Sequence, residues 1–242
     1  MRRGGRSSAA FLAVALLGVS LWGCGSSPRV EPARPLVAAG PAYEGRTHPE
    51  QVASDGTTIV VGDPQAPLTV RVYLEPRCTV CRTFADNAGR ELGVLVGERM
   101  VKVEYTMASF LDASRGGTGS QKAVNALRAA VDAGRFAEYL GVLYQYQPAE
   151  GQDGFTDQSL IDQAYFVPDL VTPEFQDAVK TMKHADFVAR SEQAFEESGV
   201  PGVPVMEING TRLPKNFADV PFNRGKFQLL VQEIVQDPRR WR

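Results

Sequence analysis

Four residues constrain this chain more than any others: Cys78-Thr79-Val80-Cys81. They follow Leu68-Thr69-Val70-Arg71-Val72-Tyr73-Leu74, whose alternation puts Leu68, Val70, Val72 and Leu74 on one face of a strand. They open a stretch, Thr83 to Val96, that reads as a helix. A strand that delivers a C-x-x-C pair to the start of a helix is a redox arrangement. The first turn of a helix presents unpaired N–H groups and a partial positive charge, both of which favour a thiolate over a thiol. The thiolate is the reactive form, and cysteines so placed have lowered pKa values. On this reading Cys78 is the exposed nucleophile and Cys81, one turn deeper, is the resolving thiol.

The cysteine count narrows the alternatives. The third cysteine, Cys24, sits in the N-terminal segment, so Cys78 and Cys81 have only each other. A structural disulfide between them would close a very short loop and remove little chain entropy. A zinc site needs four ligands, and no further cysteine of the folded part or nearby histidine is available to the pair. Haem attachment needs a histidine after Cys81, where the chain has Arg82. The chemistry calls for no metal or organic cofactor. A net charge of −2 argues against a nucleic-acid partner, which would select a basic excess.

The N-terminus reads as a targeting segment. Arg2, Arg3 and Arg6 precede an uncharged, mostly apolar run from Ala9 to Trp22. That run is short for a membrane span and suits a signal sequence. It ends in Leu21-Trp22-Gly23-Cys24, which resembles the bacterial lipoprotein signal, with Trp22 standing where that family has a small residue. The resemblance implies cleavage after residue 23 and lipidation of Cys24, anchoring the protein to the cell membrane from outside the cytoplasm. An ordinary secretory signal and a retained N-terminal anchor are the alternatives. All three place the chain where disulfide chemistry is permitted. Residues 24–56, with five prolines and no apolar periodicity, read as a flexible tether, and His48 as a solvated residue within it.

Beyond the tether, Thr58 to Val61 is a short β-type run closed by Gly62-Asp63-Pro64. Met100 to Met107 alternates like the strand before the cysteines, giving a β-α-β unit, with Gly97 as the C-cap of its helix. The residues from about 118 to 198 read as five helices with no strand signal. Phe136, Tyr139, Tyr144, Phe187 and Phe195 are their core candidates, and His184 is a surface or interface residue within the fifth. Gly116 to Lys122 lacks a nucleotide-binding signature and reads as a loop before a helix. Strand character returns at Val203 to Ile208, followed by the hairpin dipeptide Asn209-Gly210. Phe227, Leu230, Val231 and Ile234 then mark one face of a closing helix. The expected fold class is α/β: a strand and helix frame over residues 57–237 with an all-helical insertion.

Three stretches together resemble the DsbA-like branch of the thioredoxin superfamily: Gly62 to Pro67 leading to the C-x-x-C strand, the helical insertion, and Ser198-Gly199-Val200-Pro201-Gly202-Val203-Pro204 running to Asn209-Gly210. The resemblance implies a thioredoxin-like fold and a thiol-disulfide oxidoreductase, most simply an oxidase. It implies a redox-active Cys78–Cys81 disulfide and a cis bond between Val203 and Pro204 facing the pair. Pro201 is the competing proline. It also implies protein or peptide thiols as substrates and a membrane redox partner. A non-catalytic lipid-anchored binding protein with a structural disulfide is the alternative. The chain departs from the family in two places. The dipeptide Thr79-Val80 lacks the histidine of strong oxidants, with flanking Arg77 and Arg82 as partial substitutes. Val72 occupies the position of a buried acid six residues before the first cysteine, leaving Glu75 as the nearest acid for a relay.

Overall fold

The computed structural model describes residues 48–237. In chain order these form β1 (Glu50–Val52), β2 (Ile59–Val61), β3 (Leu68–Leu74), α1 (Thr79–Phe84), a π-helical turn (Ala85–Gly89), α2 (Arg90–Gly97), β4 (Val101–Met107), α3 (Leu111–Arg115), α4 (Gly119–Asp132), α5 (Phe136–Gln145), α6 (Asp157–Ala164), α7 (Pro173–Thr181), α8 (Ala185–Glu197), β5 (Val205–Ile208), β6 (Thr211–Arg212), two 3-10 turns (Lys215–Phe217 and Val220–Phe222) and α9 (Arg224–Gln236). The signal segment, Cys24 and residues 24–47 of the expected tether lie outside the described residues.

The six strands make one sheet in the order β1-β2-β4-β3-β5-β6. Strands β3 and β4 are parallel and centred, with Val70 opposite Val103 and Leu74 opposite Met107. The other pairings are antiparallel. Alternation does what period two requires: Leu68, Val70, Val72 and Leu74 are buried, as are Val101, Val103, Tyr105 and Met107. The opposite face carries Arg71, Lys102, Glu104 and Glu207, with Arg71 clamped to Glu104 at 2.7 Å. The Asn209-Gly210 turn joins β5 to β6 with both residues at positive φ, the geometry that makes this dipeptide a hairpin signal.

Helices α4 to α8 lie between β4 and β5, so the expected helical insertion into an α/β frame is present. Their boundaries follow local chemistry. Thr156 caps α6 in a reciprocal box with Ser159, and Thr172 caps α7 with Pro173 in its first turn. The five aromatic residues singled out as core are all buried. Helix α8 rejoins the sheet, where Ser191 Oγ donates to Met107 O at 2.8 Å.

The sequence reading needs correction in four places. The cysteine helix begins at Thr79 rather than Thr83 and passes through a π turn before α2. Gly97 ends inside α2, and the chain turns at Arg99, which takes φ 59°. The tether does not extend to residue 56: Glu50–Val52 pair antiparallel with β2, and His48 is half-buried. A three-residue strand carries too little periodicity to be legible, and its partner supplies the hydrogen bonds that define it. Last, His184 is not within α8 but at its N-cap, with its side chain 12 % exposed and Nε2 3.5 Å from Asp132.

Candidate active site

The C-terminal end of β3 delivers Glu75-Pro76-Arg77-Cys78 to the start of α1. Cys78 is the N-cap, with extended backbone at φ −76° and ψ 113°, and its Sγ accepts from the backbone N–H of Cys81 at 3.1 Å. The sulfur thus fills the capping role that a serine or aspartate oxygen usually takes. Cys78 is half-buried and Cys81 completely buried, and both are free thiols.

The two sulfurs titrate in opposite directions. The pKa of Cys78 is lowered from 9.0 to about 7, first by the neighbouring Cys81 thiol, with the N–H groups of Cys81 and Val80 and the charge of Arg115 adding to the effect against burial. Burial pushes Cys81 up, and the Cys78 sulfur beside it adds to this. One thiol is therefore poised as a nucleophile near neutral pH and the other is held protonated.

The charge arrangement expected around the pair is different in the structure. Arg77 is buried, and its guanidinium is committed to Asp112 Oδ1 at 2.8 Å and to Gly116 O at 2.9 Å. Arg82 points into solvent. Arg115, at the end of α3, is the cation that favours the Cys78 thiolate. Asp112 in turn accepts from Ser120 N and Gln121 N, and Asp153 accepts from Thr118 N and Gly119 N, so two carboxylates fill the N-terminus of α4. Two glycines here have a steric reason: a Cβ on Gly117 or Gly119 would overlap the Asp153 carboxylate.

Glu75 is completely buried. Its Oε2 accepts from Arg77 N at 2.7 Å, while Oε1 has no hydrogen-bond partner. Burial raises its pKa from 4.5 to about 8, opposed in part by Ser120 and by Arg77 N. Glu75 is also close enough to add to the upward shift of Cys81. Val72, where the family has its acid, is fully buried among apolar residues.

Across the site, the Val203–Pro204 bond is cis, and it is the one cis bond among the described residues, so Pro201 is not the special proline. Val203 O lies 3.9 Å from Cys78 Sγ. Val200, Val203 and Val205 pack against Tyr73, Ala108 and Phe195, and Phe195 stacks on Phe110 at 5.4 Å. Val80, inside the C-x-x-C, leaves half its surface exposed.

Sequence reasoning missed the residues that hold the reactive turn from behind. Tyr144 OH donates to Glu75 O at 3.2 Å, and Gln147 Nε2 donates to Pro76 O at 2.7 Å and to Cys78 O at 3.0 Å. Tyr144 was legible as core; Gln147, in the polar run after α5, carried no signal.

A strand-to-helix dithiol facing a cis X–Pro loop, on a β-α-β sheet with a helical insertion, defines a thioredoxin-like protein. A family model described as Thioredoxin matches residues 54–221, more than half of the chain, and the chain belongs to that family. No curated protein matches it. Among solved structures it is similar to the MdbA protein, a thiol-disulfide oxidoreductase from Corynebacterium matruchotii, at 20% identity and TM-score 0.63, covering 74% of this chain and 92% of that one. It is similar to BdbD from Bacillus subtilis, at 21% identity and TM-score 0.61, over 77% and 96% of the two chains. DsbA from Mycobacterium tuberculosis matches at 21% identity and TM-score 0.60, over 79% and 94%. At these identities the likeness is one of fold.

Proposed function

We propose that this protein is an extracytoplasmic thiol-disulfide oxidoreductase acting on protein thiols, and that it works as an oxidase of moderate strength. The observation that carries the reading is the asymmetry of the pair: a half-exposed Cys78 with its pKa lowered to about 7 beside a buried, protonated Cys81. In the oxidised form, a substrate thiolate attacks Cys78 Sγ, and the Cys78–Cys81 bond breaks with its electron pair on Cys81. Cys81 takes up a proton, and Glu75, a neutral acid at pH 7, is placed to supply it. A second substrate thiolate then attacks the substrate sulfur of the mixed disulfide and expels Cys78 as a thiolate. The substrate is oxidised by two electrons and the enzyme becomes the dithiol. A membrane redox partner would take those electrons.

The proposed roles follow the chemistry: Cys78 as nucleophile, Cys81 as resolving thiol, and the Val203–Pro204 segment as the backbone that receives a substrate peptide. The relatives named above include a thiol-disulfide oxidoreductase by description, which supports the class. Residues 1–23 as a lipoprotein signal and Cys24 as the lipidated residue support the location. On this reading the lipid on Cys24 is the anchor; no helix among the described residues is long and apolar enough to cross a membrane.

The test is the equilibrium of the pair with glutathione, together with oxidation of a reduced peptide. A potential in the range of extracytoplasmic oxidants, about −120 to −180 mV, supports the oxidase. A potential near or below that of thioredoxin, about −270 mV, reverses the direction to a reductase. A Cys78–Cys81 bond inert to small dithiols favours the binding protein instead.

A further inference from the structure

We infer that Gln147 is a positioning residue for Cys78: its side-chain amide fixes the backbone of the reactive turn and thereby sets how strongly the Cys78 thiolate is favoured. The inference rests on the redox reading of the pair.

The end of α5 meets the turn through its carbonyls. Glu75 O accepts from Tyr144 OH, and Pro76 O and Cys78 O both accept from Gln147 Nε2. Three of the four carbonyls from Glu75 to Cys78 are thus held by one short stretch of the insertion. The orientation of the Gln147 amide is decided by its surroundings, because a flipped amide would set an oxygen against two carbonyl oxygens. Gln147 is 8 % exposed, and its Oε1 is buried without a partner. Leaving an amide oxygen so placed costs free energy, and the two carbonyl contacts are what hold the side chain there. At its other end α5 is equally fixed: Glu50 of β1 accepts from Phe136 N at 2.6 Å and Ala137 N at 3.0 Å, capping the first turn.

The carbonyl of Cys78 is the point of control. It also accepts from Arg82 N at 3.2 Å, the first hydrogen bond of the cysteine helix. The same residue's Sγ must lie where Cys81 N–H points, 3.1 Å away. Holding the Cys78 carbonyl from outside the helix fixes the backbone angles that bring the sulfur onto that donor. Without Gln147, the Cys78 carbonyl keeps one donor instead of two, and the cap that favours the thiolate loosens.

The measurements are the Cys78 pKa, from the pH dependence of alkylation, and the equilibrium constant of the pair with glutathione. Gln147→Met keeps length and removes both donors. The expected result is a higher Cys78 pKa and an equilibrium moved about three- to ten-fold toward the disulfide, the size of one hydrogen bond. Tyr139→Phe is the control. Its hydroxyl, on α5 and away from the turn, donates to Leu160 O of α6 at 2.8 Å, so the substitution lowers the melting temperature without moving either readout. Should Gln147→Met fail to fold, Gln147→Ser removes the same two contacts with less apolar bulk, and a shift of the same sign is expected. A folded Gln147→Met, or in its absence a Gln147→Ser, that titrates and equilibrates like the parent overturns the inference. Alkylation reads the pKa without turnover, so this failure is distinct from a pair that does not exchange at all.

Discussion

Sγ of Cys78 stands 3.9 Å from the carbonyl oxygen of Val203, a contact made across 125 residues of sequence. The helix and the loop on the two sides of this gap come from opposite ends of the frame, β3 and β5, which pair antiparallel with Tyr73 opposite Val205. That register is what brings Cys78 and the Val203–Pro204 backbone together.

The two cysteines should divide the reaction between them. Cys78→Ser is expected to reduce peptide oxidation to background. Cys81→Ser is expected to leave the first attack intact and accumulate a mixed disulfide, visible as a mass increase on non-reducing analysis. Full activity in Cys78→Ser would remove the nucleophile assigned here.

Alkylation of the reduced protein should report the lowered thiol. With a pKa of about 7, Cys78 is about a tenth ionised at pH 6 and about nine-tenths at pH 8. The depressed value also links to stability: the contribution is complete above the ordinary thiol pKa of 9.0 and is lost as pH falls through 7. Reduced protein should therefore gain on Cys78→Ser in urea unfolding as pH rises from 6 to 9. An alkylation midpoint near 9 would contradict the capping role of the sulfur.

Glu75 should trade stability for function. Its folded pKa is raised from 4.5 to about 8, so its favourable contribution is present below 4.5 and lost as pH climbs through 8. Glu75→Gln lacks this loss. Its unfolding free energy should rise relative to the parent between pH 5 and 9, by an amount on the order of a few kcal/mol at most. At the same time the exchange step should slow by about tenfold or more, because amide nitrogen cannot supply the proton to Cys81. A variant that matches the parent in both respects would take Glu75 out of the mechanism.

The buried Arg77–Asp112 pair should be costly to break from the arginine side. Arg77→Met leaves Asp112 with its two backbone donors but without its counter-charge, and strips Gly116 O of its partner. The expected loss is about 3–5 kcal/mol in urea unfolding. A loss below 1 kcal/mol would place the pair with exposed surface bridges instead.

Much of this was readable from the chain because it depends on near neighbours. The C-x-x-C at a strand-helix junction, the alternation of the two central strands, the Pro173 start and the Asn209-Gly210 turn are each set by residues a few positions apart. Positive φ at both turn residues is a property of Asn-Gly itself. Three residues of β1 offered no such pattern, and neither did the π turn, whose cost and placement depend on what α1 and α2 pack against.

The sequence by itself determined the C-x-x-C at its strand-helix junction, the order of the elements from β2 onward in outline and the prolines from which the cis one was drawn. Tertiary structure decided the electrostatics. It buried Arg77 against Asp112, brought Arg115 to bear on Cys78, sank Glu75 out of water and set Gln147 behind the turn. Charge effects fall with distance and rise with desolvation, and both are fixed only when segments far apart in sequence come into contact.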